Sequence, residues 1–231
     1  MRTLAIGDIH GCFTALQTLE REMAFTDDDL IVTVGDYVDR GPDSKSVIDW
    51  LMARQRRGGK LVALLGNHEQ MMLWSRFDSL SQKSWMSSFV GGDATLASYG
   101  GNAWRSARIV DVPDEHWDFI VNHTMRYHET ETHIFVHASV APEVAMSEQT
   151  DEILFWERFK DLAPHCSGKP VICGHTAQHD GLPKVAPHGV CIDTWAHGGG
   201  WLTCLNVQTG DYGQANQQGQ FRTGRLEALM S

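Results

Sequence analysis

Short apolar runs alternate with amphipathic stretches over the first third of the chain, and the two periods separate strands from helices. Residues 3–6, 30–34 and 61–65 are apolar at nearly every position, the pattern of strands buried on both faces. Between them, residues 13–23 place Leu16, Leu19 and Met23 on one helical face, and 44–55 do the same with Val47, Ile48, Leu51 and Met52. This βαβαβ order predicts a parallel sheet covered by helices. After Glu69 the period changes. Residues 68–77, 79–90, 94–99 and 113–125 read as helices, with Gly91-Gly92 as a break, Asp93 as a cap and Pro113 at a first turn. Residues 102–112 are less regular. Strands resume at 133–136 and continue through 171–173, 190–193 and 201–207, separated by turns such as Gly198-Gly199-Gly200. The Gln- and Gly-rich stretch after Gly210 reads as a mobile tail. The pattern therefore predicts an α/β fold with one domain over 1–210, a helical insertion at about 70–126, and a tail over 211–231.

Composition narrows the class. At 231 residues the chain can bury one substantial core, and its 42% hydrophobic and 21% charged fractions are ordinary for a water-soluble globular protein. No apolar run approaches the roughly 20 residues of a membrane helix. The N-terminus lacks a cationic stretch followed by an apolar one, so neither a membrane partner nor a secretory signal is expected. The five cysteines include no C-x-x-C pair, which argues against a disulfide framework and for a reducing, cytoplasmic location. Cys173, Cys191 and Cys204 lie in strand-like runs, where a thiol packs as a small hydrophobe. A net charge of −10 argues against a nucleic-acid partner gripped through its phosphates. The densest basic stretch (Arg54, Arg56, Arg57, Lys60) falls at a helix end, where cations favour the macrodipole.

Candidate chemistry sits where the apolar runs stop. Five of them end as LAIG-Asp8-Ile9-His10, IVTVG-Asp36, LVALLG-Asn67-His68, IFV-His137 and VICG-His175, four with a glycine before the first polar group. Strands that deliver Asp, His and Asn from the same kind of end are how an open α/β sheet builds a site. Oxygen and nitrogen donors without thiolate suit a pair of hard-to-borderline metal ions. Asp8 and His10, two apart in extended chain, leave on the same side. Asp36 has two oxygens and can bridge two ions, whereas Asp39 is placed to orient a neighbouring imidazole. Arg40 supplies a planar fork suited to phosphoryl oxygens. Asn67 can coordinate a metal without adding charge, and the adjacent His68 points elsewhere, which makes it a candidate acid. His137 and His175 complete a second set. Taken singly, each is an ordinary strand end, turn ion pair or structural histidine; the conjunction carries the inference.

In this order and spacing GDIHG, GDYVDRG, GNHE, FVHA and CGHT resemble the calcineurin-like metallophosphoesterases, from about Thr3 to Leu205. Within them the chain is most similar to the phosphoprotein phosphatase branch and its compact bacterial and phage-lambda-type enzymes. The resemblance implies a central β-sandwich of mixed sheets flanked by helices. It implies that Asp8, His10 and Asp36 hold the first of two divalent ions, and that Asp36 bridges to a second held by Asn67, His137 and His175. Manganese is favoured, with iron or zinc as options. His68, steered by Asp39, is then the proton donor to the leaving group. Arg40 is a substrate-binding arginine, Arg158 in FWER a second one, and Asn67 also faces substrate. The implied reaction is hydrolysis of phosphomonoesters, on phosphoserine, phosphothreonine or phosphotyrosine in proteins or on a small phosphoester. It runs by in-line attack of hydroxide drawn from a water between the two ions. No Ser or Cys stands in a nucleophile setting, and the expected role of Cys12 is packing.

Two other readings compete. Bacterial diadenosine tetraphosphatases are closely similar but commonly carry Ala where this chain has Asp39, which leans the chain away from dinucleoside-polyphosphate hydrolysis. Trp74, Trp85, Trp104 and Trp117 could stack a nucleobase, although tryptophans in helical insertions more often serve the core. A catalytically inactive metal-binding scaffold is opposed by the presence of both His68 and Asp39. CIDTWAHGGG stands where relatives often show a small residue after Thr, so Trp195 and His197 are placed to narrow a pocket rim. His197 is expected mainly as a loop residue.

Overall fold

Alternate residues of the short strands point into different apolar layers, and that alternation builds the architecture. In the computed structural model, which describes residues 2–100, 108–160 and 163–230, β1 (Thr3–Ile6) leads into α1 (Phe13–Glu22), β2 (Leu30–Thr33), α2 (Ser44–Arg56) and β3 (Leu61–Leu64). This is the βαβαβ unit expected from the hydrophobic period. α3 (Asn67–Trp74), α4 (Ser79–Trp85), α5 (Gly92–Ser98) and α6 (Asp114–Asn122) follow, before β4 (Thr124–Met125) extends the parallel set. A second sheet then forms from β5 (Tyr127–Glu129), β6 (Ile134–Val136), β7 (Val171–Cys173), β8 (Lys184–Ala186) and β9 (Gly189–Cys191), with α7 (Asp151–Trp156) between β6 and β7. Its order is β5-β6-β7-β9-β8, parallel at the centre and antiparallel at both edges. Finally β10 (Leu202–Asn206) returns to the first sheet antiparallel to β1, followed by β11 (Asp211–Ala215) and β12 (Phe221–Arg225). The first sheet is thus ordered β12-β11-β10-β1-β2-β3-β4.

Three apolar layers result. Leu4, Ile6 and Ile31 face Leu16, Leu19, Val47 and Leu51 of the helices. The intervening residues Ala5, Val32 and Val34 meet Phe135, Ile172 and Val190 between the two sheets. Ile134, Val136 and Val171 pack outward on Leu154 and Phe155. The fold is a mixed α/β sandwich of two mixed sheets flanked by helices, with helices α3 to α6 placed between β3 and β4. No described helix is long and apolar enough to cross a membrane.

Boundaries differ in instructive ways. The helix expected over 79–90 stops at Trp85, and the one expected over 113–125 stops at Asn122, where Thr124–Met125 instead pair with β3. Trp104 and most of the irregular stretch 102–112 lie outside the described residues.

The stretch after Gly210, read as a mobile tail, is instead part of the first sheet. β11 pairs with β10 through Leu205↔Tyr212 and with β12 through Tyr212↔Gly224. The polar composition misleads because these side chains bond across the sheet. Gln214, fully buried, donates to the Thr203 hydroxyl (2.8 Å) and the Gly181 carbonyl (2.9 Å) and accepts from Arg222 Nε (2.8 Å). Tyr212, 6% exposed, closes the layer between the sheets. Tyr212→Ala is therefore expected to cost about 3 kcal/mol, which at this chain length lowers the melting temperature by roughly 6–12 °C. A thermal melt with no shift would return the segment to tail status.

Candidate active site

The loops that leave the strands are laced to one another before any side chain is considered. The amides of Ile9 and His10 donate to the Asp36 carbonyl at 3.0 and 2.8 Å, and that of Gly11 to the Tyr37 carbonyl at 2.8 Å. The amide of Gly174 donates to the His137 carbonyl at 2.8 Å, joining the ends of β7 and β6. His10, Asp36, Asp39, Arg40 and His175 all have positive φ, between 45° and 72°. Each therefore turns the chain sharply as it leaves a strand.

Glu69 fastens this junction, and the sequence reading assigned it no role. Its Oε2 accepts from the amides of Asp36 (2.9 Å) and Gly66 (3.0 Å), and its Oε1 from Tyr37 (2.7 Å) and Val38 (3.2 Å). One buried carboxylate thereby ties the end of β2 to the end of β3. Its position in GNHE, one residue after the candidate acid, was the available signal.

The donors converge in two clusters that share Asp36. His10, Asp36 and His68 form one, and Asp36, His137 and His175 the other, with donor atoms inside 4.8 Å of one another in each. His10 Nε2 and His137 Nε2 lie 3.4 Å from Asp36 Oδ2 and Oδ1 respectively. Burial works to raise the Asp36 pKa, but the imidazoles of His137, His68, His10 and His175, once protonated in acid, outweigh it and hold the carboxyl below its ordinary range. Asp8 borders the clusters: Oδ2 accepts from the His175 amide at 2.9 Å, while the buried Oδ1 has no hydrogen-bond partner. The Asp8 carboxylate lies so close to Gly174 that a β-carbon there would fall 1.9 Å from Oδ1. Burial, then Asp193 and Asp36, raise the Asp8 pKa well above normal.

Three of the imidazoles present a lone pair inward. His10 Nδ1 and His137 Nδ1 sit 2.8 Å from the carbonyls of Val38 and Val34, and His175 Nε2 lies 3.2 Å from that of Trp156. A carbonyl only accepts, so each ring spends its single proton there. Burial keeps all three neutral by lowering their pKa values, His175 to about 4. The opposite nitrogens of His137 and His175 face Asn67 Oδ1 at 2.9 and 3.0 Å. Converging acceptors, together with the orphaned Asp8 oxygen, fit divalent cations, and rings anchored through their far nitrogen are the usual support of a metal site.

His68 is built differently. Its Nδ1 donates to Asp39 Oδ2 at 2.7 Å, and its Nε2 points toward Asp36 Oδ2 at 4.0 Å. Burial pushes its pKa down, but the Asp36 charge and the Asp39 hydrogen bond push harder, so the net shift is upward. Burial likewise raises Asp39, against the pull of His68, Thr95 and Trp85. Asp39 also accepts from Thr95 Oγ1 at 2.7 Å and Trp85 Nε1 at 3.0 Å, an all-acceptor role that only the ionised carboxylate fills. Trp85, 1% exposed, is thus a core residue with a polar task, and Trp117 is buried in the same core, whereas Trp74 is exposed.

Arg40 and Arg158, both exposed, line one cavity of about 600 Å³ together with His68, Phe89, Trp156 and Trp195. Arg40 Nη1 lies 3.0 Å from His10 Nε2 and 3.2 Å from His197 Nε2. His197, expected mainly as a loop residue, is held neutral by burial and by Arg40, which lower its pKa to about 4. Cys12 is fully buried, and burial pushes its thiol up to about 12, in keeping with a packing role.

Oxygen and nitrogen donors gathered beside two arginines define a phosphoester-hydrolase type of site. The model of the calcineurin-like phosphoesterases matches residues 1–179, and the chain belongs to that family of hydrolases, which use divalent metal ions. Serine/threonine-protein phosphatase 1 of Salmonella typhimurium is 32% identical over 209 residues, 88% of this chain and 90% of that one. The symmetrical bis(5'-nucleosyl)-tetraphosphatase of Cellvibrio japonicus is 28% identical over 180 residues, 73% of this chain and 58% of that one. A solved structure of a proposed diadenosine tetraphosphatase superposes with a TM-score of 0.64 at 19% identity, covering 97% of this chain and 93% of that one, a likeness of fold.

The His68–Asp39 contact has a direct readout. In metal-free protein the His68 imidazole is expected to titrate above the ordinary histidine value of about 6.5, because its charged form is the favoured one. Asp39→Asn removes the Asp39 share of that support while burial and the Asp36 charge remain, so the titration should move down. Unchanged histidine chemical-shift titration in the variant would show that Asp39 does not act on His68.

Proposed function

We propose that the protein is a metal-dependent phosphatase acting on phosphomonoesters, with phosphoserine, phosphothreonine or phosphotyrosine in proteins as its natural substrates. The observation that carries this reading is the difference among the imidazoles around Asp36: His68 alone is backed by a carboxylate. In this reading Asp8, His10 and Asp36 hold one divalent ion, and Asp36, Asn67, His137 and His175 a second. The mixed oxygen and nitrogen donors suit manganese, with iron or zinc as alternatives. Such ions, when bound, supply Lewis acidity and lower the pKa of a coordinated water. Arg40 and Arg158 grip the phosphoryl oxygens, Asn67 borders them, and their local field outweighs the screened net charge of −10. His68 carries its proton on Nε2 and gives it to the departing oxygen, while Asp39 holds the ring in place. Buried free thiols at Cys12, Cys173, Cys191 and Cys204 suit a reducing cytoplasm.

The second reading, hydrolysis of a dinucleoside polyphosphate, draws support from the Cellvibrio japonicus relative and from the aromatic residues in the cavity wall. Charge speaks for the first. Among the described residues, Arg40 and Arg158 are the only Lys or Arg lining the cavity, a match for one phosphoryl group. The adjoining cavity shares Arg40 but adds the carboxylate of Asp93, which disfavours a polyphosphate chain.

With added Mn2+, turnover of p-nitrophenyl phosphate is expected, as is a higher kcat/KM on a phosphopeptide than on diadenosine tetraphosphate. No turnover across pH 5–9 would sink the enzyme reading, and a large preference for the dinucleotide would reverse the choice of substrate. His68→Asn should retain metal and lose about 10²-fold or more in kcat, most on esters with poor leaving groups. An equal loss on all esters would remove the acid role. Asp36→Asn should weaken both metal sites together, and metal analysis that still finds two tightly held ions would rule out a bridging carboxylate.

A further inference from the structure

Trp195 has a backbone conformation that bulky residues rarely adopt, with φ 62° and ψ 43°. Such strain persists only where the surroundings over-determine it, and here they do. Its amide donates to Asp193 Oδ1 at 3.0 Å, and its carbonyl accepts from the amides of Gly198 (3.1 Å) and Gly200 (3.0 Å). The indole lies directly against the Gly198 backbone, where a β-carbon would fall 2.0 Å from the ring. The His179 ring meets it nearly edge-on, with centroids 4.5 Å apart at 69°. A glycine at 195 would hold this turn without strain, so what the strained turn retains is the indole itself.

That indole is half-buried and lines the same cavity as His68 and Arg40. His197 stands between them, 6.4 Å from Trp195 by ring centroids and 3.2 Å from Arg40 through its Nε2. Phe89, 87% exposed, lines the cavity too. At about 600 Å³ the cavity has room for a ring beside a phosphoryl group.

We propose that Trp195 is a specificity-determining residue that packs against a planar ring carried by the phosphorylated substrate, so that ring-bearing phosphoesters are favoured over alkyl ones. The proposal rests on the phosphoester-hydrolase reading of the site and sharpens it. The phenol of phosphotyrosine and the base of a nucleotide share this chemistry, an aromatic face held close to a phosphate.

The test compares kcat/KM of the full chain with Mn2+ on a phosphotyrosine peptide, a phosphoserine peptide of the same sequence, and diadenosine tetraphosphate. The variants are Trp195→Gly and Trp195→Asn, both compatible with left-handed backbone, and Trp195→Phe, which keeps a ring. The phosphotyrosine-to-phosphoserine ratio should fall about fivefold or more in the Gly and Asn variants, mainly through KM, and recover substantially in the Phe variant. A fall on phosphotyrosine alone identifies the ring as a phenol; a fall relative to phosphoserine on the dinucleotide identifies it as a base. Unchanged ratios, or equal losses on all three substrates, overturn the proposal while wild-type turnover keeps the hydrolase reading intact. A wild-type chain that turns over none of the three removes that reading itself. Should the Gly variant fail to fold, the Asn and Phe variants report the same ratios.

Discussion

Carboxylates buried against one another set the terms for this molecule. Asp8, Asp36, Glu69 and Asp193 are all nearly inaccessible, and Asp8, Glu69 and Asp193 each feel the charge of Asp36. Burial, then the neighbouring Asp36 charge, push Glu69 up to about 8; burial is also the main cause that raises Asp193 to about 6. The fold answers with positive ends of dipoles. Four backbone amides point at Glu69, one at Asp36, one at Asp8 and one at Asp193. Breaking such a buried cluster by removing one partner leaves charge uncompensated, which typically costs several kcal/mol. The Asp8 oxygen that no protein donor reaches marks where the polypeptide stops compensating and a cation is suited to continue.

Under the proposed function, the same logic separates holding from proton transfer. Chemically, His10, His137, His175 and His68 are one side chain, gathered around one carboxylate. A carbonyl behind the ring takes up its single proton and leaves a neutral donor facing inward. A carboxylate behind the ring stabilises the charged form and leaves a proton facing inward. Val38, Val34 and Trp156 supply the carbonyls, and Asp39 supplies the carboxylate. Identity at the far nitrogen, not at the near one, therefore sorts the imidazoles into two kinds.

Those near nitrogens were legible in the sequence, because each ligand type follows an apolar run whose length and composition already mark a strand. The parallel strands, their helices and the six candidate ligands with His68 could be located for that reason, whereas Arg158 rested on the family resemblance; the structure brings them to one region. What supports them was hidden in proportion to its distance along the chain. Thr95 and Trp85 reach Asp39 across 56 and 46 residues, from helices with no strong period of their own. The last two strands read as tail because a Gln-rich stretch carries no apolar alternation, although Gln214 bonds as fully as a core residue packs. Trp195 was visible as an oddity, but its left-handed backbone depends on contacts that no local pattern encodes.

Strain and insertion are connected. Of the seven described non-glycine residues with positive φ, six line or border the site: His10, Asp36, Asp39, Arg40, His175 and Trp195. Each such residue costs on the order of 1–3 kcal/mol unless its surroundings impose the conformation. For the turn that carries Asp39 and Arg40, the surroundings are the helical insertion. Thr95 of α5 accepts from the Asp39 amide at 2.7 Å, and the Gly91 carbonyl accepts from the Arg40 amide at 3.2 Å. The insertion also supplies Trp85 to the Asp39 carboxylate and Phe89 to the cavity wall. It is thus the outer half of the turn that carries Arg40 and the Asp39 partner of His68, and a change in its packing reaches both without touching a candidate donor atom. Under the proposed function, such a fold can alter what it admits and how it protonates through one segment, while the strand ends of the two sheets hold the candidate ligands constant.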